Sequence, residues 1–175
     1  MKELFNKKVL LITLFILIAA FSRLIPGIDN FNPIMAIALF GGAYISNKKL
    51  AFLIPISAML ISDIFIGFHS LAIVVYGGFA IGVLIGFILK KRIQLGRIVL
   101  SSLACSIIFF IITNLGFWLV YLPLNMEGLA KAYIDAIPFF RNSLIGDLVY
   151  TGVLFGSYSL AGNYIKSLNT VTVER

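Results

Sequence analysis

Charge is scarce in this sequence. Only 12% of its 175 residues are Asp, Glu, Lys or Arg, while 61% are hydrophobic. Soluble domains run at roughly 25% charged and 45–50% apolar, so the chain reads as an integral membrane protein. Its length suits one domain. There is one cysteine, Cys105, so an intrachain disulfide and a CxxC metal site are excluded. Inside its apolar run Cys105 reads as a small buried hydrophobe. No H-E-x-x-H, G-x-S-x-G or P-loop occurs. Nothing here recommends an enzyme, a cofactor or a metal. The missing P-loop also means that the chain cannot hydrolyse ATP by itself. The single histidine, His69, could join Asp63 at a cation, but no spaced ligand set accompanies them.

The hydrophobic residues fall into six segments. Val9 to Ile25 follows a basic start and reads as a retained anchor with Arg23 near its far end. Pro26-Gly27-Ile28-Asp29-Asn30 is turn chemistry. Asn32-Pro33 then reads as a helix start, with Asn32 as N-cap and Pro33 at the first helical position. Ile34 to Ile45 is short for a crossing. Leu50 to Gly67 contains Pro55, which predicts a kink or local break, and carries Asp63 near its end. Leu71 to Leu89 carries Tyr76, and Lys90-Lys91-Arg92 stops it. Ile98 to Tyr121 places Asn114, Trp118 and Tyr121 on one face. Phe139 to Ala161 is the last segment. Residues 1–165 are expected to form one six-helix transmembrane domain, and 166–175 a polar tail.

Between the fifth and sixth segments, Met126, Leu129, Ala130, Tyr133, Ile134 and Ile137 follow the helical period. Glu127, Lys131 and Asp135 lie opposite at i, i+4 spacing. This predicts a short amphipathic helix on the membrane surface.

The net charge of +7 could suggest nucleic acid, but its placement gives a different account. Six crossings put eleven basic and two acidic residues on the side of the termini, and three basic and five acidic on the other. The positive-inside rule then places both termini in the cytoplasm. The charge reports orientation and requires no nucleic-acid partner. Gly78, Gly82 and Gly86 form overlapping G-x-x-x-G units, with similar small pairs at Ala38/Gly42 and Gly152/Gly156. Such spacing lets helices approach closely, either within the bundle or against a partner.

Polar groups gather at one level. At 1.5 Å per residue, Arg23, Asp63, Tyr76, Asn114 and Asp147 fall roughly 3–12 Å below the outer ends of five helices. Asn32, Trp118, Arg141 and Asn142 lie at or above that level. A charge at membrane depth costs several kcal/mol unless paired or wetted. An outward-facing polar and aromatic pocket accounts for this layer. Pairing of Arg23 with Asp63 or Asp147, tying helices together, is the alternative.

Two stretches carry a resemblance: Asn32-Pro33-Ile34-Met35-Ala36-Ile37-Ala38-Leu39-Phe40-Gly41-Gly42-Ala43-Tyr44, and Ala136-Ile137-Pro138-Phe139-Phe140-Arg141-Asn142-Ser143-Leu144-Ile145-Gly146-Asp147. They resemble those of a family of small bacterial membrane proteins described as transport proteins, over roughly residues 20–162. That family is more distantly similar to the substrate-binding S components of energy-coupling factor (ECF) transporters. Those six-helix proteins bind vitamins or related micronutrients from outside and work with a scaffold subunit and ATPases. The A-x-x-x-A docking motif usual near their first helix is not evident here. The resemblance implies a multi-pass protein of the bacterial inner membrane that takes a small-molecule substrate. Arg23, Asn32, Asp63, Tyr76, Asn114, Trp118, Arg141, Asn142 and Asp147 are the expected binding residues. Arg23 and Arg141 would meet an anionic group, and Trp118 would offer a stacking face. The Leu122–Pro138 and Ile25–Asn32 segments would act as lids. A membrane scaffold resembling small cell-shape morphogenesis proteins and a small ion-coupled carrier are the competing readings.

Overall fold

The computed structural model describes residues 7–25, 27, 29–68 and 70–173, with side chains described as far as Gly162. Helix is the sole regular structure among these residues. The elements are α1 (Lys7–Ser22), α2 (Ile34–Tyr44), α3 (Lys48–Ile66), α4 (Ala72–Leu89), α5 (Leu95–Tyr121), α6 (Met126–Ile134) and α7 (Ile137–Val173). Four helical stretches are long and apolar enough to cross a membrane: α3, α4, α5 and Ile137–Gly162 of α7. Of the other two expected crossing segments, α1 has 16 residues and α2 has 11. At 1.5 Å per residue these reach about 24 Å and 17 Å.

The short helix is the centre of the molecule. Every residue from Ile34 to Ala43 is buried, and Ile37, Ala38, Leu39 and Phe40 are fully so. Apolar side chains on all sides of α2 leave it no solvent face. It packs against α1, α3, α4, α5 and α7. Its closest neighbour is α4, along the small-residue seam. A Cβ on Gly42 would stand 2.2 Å from the Val83 carbonyl oxygen, and one on Gly86 2.7 Å from the Gly42 Cα. The Gly82 Cα faces Met35 and Ala38 in the same way. Only hydrogen fits at these positions, so the glycines set the interhelical distance. Gly152 and Gly156, by contrast, meet nothing on α7.

The ends of α2 are held by other helices. At its C-terminus the Lys90 ammonium donates to the Ile45 carbonyl at 3.1 Å. That is where an orphan carbonyl and the negative pole of the helix call for a cation. Below this level Phe40, Tyr44, Phe155 and Tyr158 interlock, with Tyr44 and Tyr158 ring centres 4.3 Å apart. At the N-terminus the Asp147 carboxylate of α7 takes backbone N–H groups of Met35 and Ala36. The exterior is apolar: Ile73, Leu100 and Leu160 point outward, as side chains facing lipid do.

Several expectations shift. The α1 helix ends at Ser22, so Arg23 sits in the turn that follows, its N–H bonded to the Ala20 carbonyl. Helix α2 begins at Ile34, with Pro33 as its flanking residue. Asn32 still serves the helix start, accepting from the Ile34 N–H at 3.3 Å. Of the kink or local break expected at Pro55, a break is absent: α3 continues through it as one helix. The ring is buried against Gly41, beside the Ala51 carbonyl that Pro55 cannot bond. The expected amphipathic helix is α6. Met126 and Ile134 point outward, while Gly128 and Ala132 are the buried positions. The Tyr133 hydroxyl donates to the Ile111 carbonyl at 2.9 Å and straps α6 onto α5. The α7 backbone stays helical past Ala161 to Val173, through most of the segment read as a tail. His69 lies outside the described residues.

The seam gives a contrast to measure. Gly42→Val should lower the thermal unfolding midpoint in detergent by the equivalent of about 1–3 kcal/mol, the usual cost of overpacking. Gly152→Val, on the open face, should leave it unchanged.

Candidate functional site

Two polar networks flank the N-terminal end of α2. The first joins α1, α3 and α4. Arg23 forms an ion pair with Asp63 at 2.8 Å, its side chain 11% exposed and that of Asp63 6%. The same Nη1 donates to the Ser62 hydroxyl and contacts the Met59 sulfur. On the other side of the carboxylate, the Tyr76 hydroxyl donates to Asp63 Oδ2 at 2.5 Å. The turn after α1 thus places a cation against the last turn of α3, and α4 supplies the second donor. A buried charge is tolerated only with such partners.

The second network joins α2, α5 and α7. Asp147 is 4% exposed. Besides the Met35 and Ala36 N–H groups, it accepts from the Ser106 hydroxyl at 2.7 Å. Its neighbour Gly146 lets the chain at Phe31 and Asn32 press onto α7, since a Cβ there would lie 3.0 Å from the Asn32 nitrogen. One turn earlier, the Asn142 side-chain amide donates to the Asp29 carbonyl at 3.1 Å. The two sequence stretches that carried the resemblance therefore meet: Gly146 and Asp147 of the second hold Asn32, Met35 and Ala36 of the first.

Between the networks lies a cavity of about 470 Å³, within the usual range for small-molecule pockets. Its walls are Leu71 just before α4, Val75 of α4, and Ser106, Phe109, Phe110, Thr113, Asn114 and Phe117 of α5. Phe139, Phe140 and Ser143 of α7 complete the far side. Arg23, Asn30 and Asn32 reach it from the α1–α2 connection, and Ala132, Asp135 and Ala136 from α6 and the turn after it. Phe110 and Phe140 pack with ring centres 4.4 Å apart and planes inclined at 36°. Asn30 adopts φ 59°, the left-handed conformation that asparagine tolerates, which turns the chain over this space.

Three of the nine expected binding residues line the cavity: Arg23, Asn32 and Asn114. Asn114 donates its amide N–H to the Phe110 carbonyl of its own helix at 2.8 Å. Asp63 and Tyr76 stand behind Arg23, and Asp147 behind Ser106. Asn142 serves the Asp29 carbonyl. Arg141 is exposed and does not line the cavity. Trp118 is turned away from it too, donating its indole N–H to the Pro123 carbonyl at 3.0 Å and closing the α5–α6 turn.

Trp118 lies one turn beyond Asn114, toward the end of α5. The cavity face of α5 is Ser106–Phe109/Phe110–Thr113/Asn114–Phe117, and the Trp118 indole is engaged by the turn that follows the helix. The five phenylalanines and three hydroxyls were missed because phenylalanine is ordinary in a membrane helix. The i, i+3/i+4, i+7 recurrence of Ser106, Phe109/Phe110 and Thr113 was the available signal.

At the mouth, Lys131 and Asp135 pair at 2.7 Å, both well exposed. That hydrogen bond raises the Lys131 ammonium above its ordinary pKa. Among the described residues no three His, Cys, Asp or Glu side chains converge as metal ligands, and no buried side-chain nitrogen or oxygen lacks a partner. The model of a family of unknown function, DUF6580, matches residues 3–168, and the chain belongs to that family. No curated protein and no solved structure matches it.

The first network should behave as one unit. Asp63→Asn and Arg23→Met should each destabilise by about 3 kcal/mol, because each strands a buried charged or polar partner. The double variant should lose much less than the sum, as a thermal double-mutant cycle would read.

Proposed function

We propose that this member of a family of unknown function is a membrane transport component that binds a small molecule in the cavity between α4, α5 and α7. The observation that carries this reading is the cavity itself. It is aromatic-walled, has a few hydrogen-bonding groups, and lies between two internally satisfied polar networks. A space of about 470 Å³ beside Arg23, Asn32 and Asn114 has the composition by which pockets fix a ligand's orientation. The finer parts of the proposal rest on sequence. Both termini are cytoplasmic, α1 and α2 complete six crossings, and the cavity opens outward from a bacterial inner membrane. The S-type role, with a scaffold subunit and ATPases, rests on resemblance alone.

One observation favours the competing scaffold reading. The buried polar groups of the layer are answered from within the chain, as stapling of helices requires.

Native mass spectrometry of the protein purified in mild detergent separates the two. A stoichiometric small molecule is expected on the wild type. It should be reduced or absent on Phe140→Ala and Asn114→Ala, and retained on Arg141→Ala, whose side chain is outside the cavity. An empty protein from rich medium, with no thermal shift across a micronutrient panel, would favour the scaffold.

A further inference from the structure

Every charge that reaches the cavity is already matched. Arg23 is neutralised by Asp63 at 2.8 Å, and Asp135 by Lys131 at 2.7 Å. The next carboxylate outward from the wall, Asp147, is occupied by the Ser106 hydroxyl and the start of α2. Arg141, the one other cation on the neighbouring turn of α7, is exposed and does not line the space. A ligand carboxylate brought to Arg23 would therefore also face Asp63. It would give up its hydration for a pair whose charge is spent, and burying an ion without a free counter-charge is strongly unfavourable.

Hydrogen-bonding capacity is nonetheless left over. All contacts of the Arg23 guanidinium run through Nη1: to Asp63, Ser62 and Met59. A guanidinium has five N–H donors, so Nη2 and Nε can still donate. Asn32 uses its Oδ1 on the Ile34 N–H and keeps its amide donors. Across the space, Asn114 uses an amide N–H on Phe110 and keeps its Oδ1 as acceptor. The walls between these groups are phenylalanine side chains, with the Phe110 and Phe140 ring centres 4.4 Å apart and their planes inclined at 36°.

We propose that the cavity takes an uncharged, flat heteroaromatic molecule. Its acceptor-bearing edge lies toward Arg23 and Asn32, a donor lies toward Asn114, and its ring lies against the phenylalanines. This rests on the small-molecule reading above and reverses the expectation that Arg23 and Arg141 meet an anion. The charge of the ligand, rather than its size, is the discriminating property.

The test is a titration of the full chain in lipid nanodiscs with three matched probes: quinoline-3-carboxamide, quinoline-3-carboxylate and 3-(aminomethyl)quinoline. The carboxamide should bind at least about tenfold tighter than either charged probe, the scale of one hydrogen bond to a charged donor without a desolvation penalty. Arg23→Lys keeps the ion pair with Asp63 but removes the spare donors, so it should weaken the carboxamide by roughly the same factor while folding is kept. Trp118→Ala, outside the cavity, should leave binding unchanged. Preference for the carboxylate would overturn the inference and leave the small-molecule reading standing. Binding of none of the three at millimolar concentration would remove both.

Discussion

A helix wholly surrounded by apolar neighbours has no water for the orphan backbone groups at its ends. That constraint governs α2. Its first N–H groups and last carbonyls must be answered by other parts of the chain, or each costs on the order of 1–3 kcal/mol. The chain answers them from two sides. Asp147 of α7 meets Met35 and Ala36, and Asn32 meets Ile34. Lys90 meets Ile45 at the other end. Both ions also suit the poles of the helix macrodipole. Glycines on α2 and α4 then bring the backbones into contact, and the remaining helices close around the pair.

Position follows from this. Because Asp147 and Gly146 tie α7 to the start of α2, residues 29–36 are fixed across the end of the bundle. The Arg23–Asp63–Tyr76 network fixes the turn before them. The space left between these anchors and the phenylalanine face of α5 is the cavity. The charged residues that mark the layer in sequence are thus mostly structural: they set the walls, while the uncharged side chains of α5 and α7 form most of the lining. A neutral cavity is the electrostatic consequence, since the ions are spent on the fold.

Much of the architecture was legible. Apolar runs bounded by Pro26-Gly27, Asn47-Lys48-Lys49 and Lys90-Lys91-Arg92 located the helices to within a few residues. The segment Ile34–Ile45 was legible as short for a crossing, and the small-residue spacing as a means of close approach, but not which helices approach: the Ala38/Gly42 and Gly78/Gly82/Gly86 positions form the α2–α4 seam, while Gly152 and Gly156 meet nothing. Less of the site was readable. Asp147 stood out as a buried carboxylate, but its partners are backbone amides far away in sequence, and backbone amides carry no sequence signature. Trp118 and Asn114 share a face in projection, yet only packing determines which side of that face meets a gap. The α6 stripe was periodic, but small residues docked while Met126 and Ile134 faced out, and Tyr133 anchors the helix through a backbone carbonyl.

The dependence of the fold on the α2 start is tested most directly by thermal unfolding of Asp147→Leu in nanodiscs. Leucine nearly keeps the volume and suits a membrane interior, so an apolar-packing role would tolerate it. Removal of the acceptor leaves the Met35 and Ala36 N–H groups and the Ser106 hydroxyl unanswered, and a loss of about 3 kcal/mol or more is expected. An unchanged or raised unfolding midpoint would contradict the central place given to that contact.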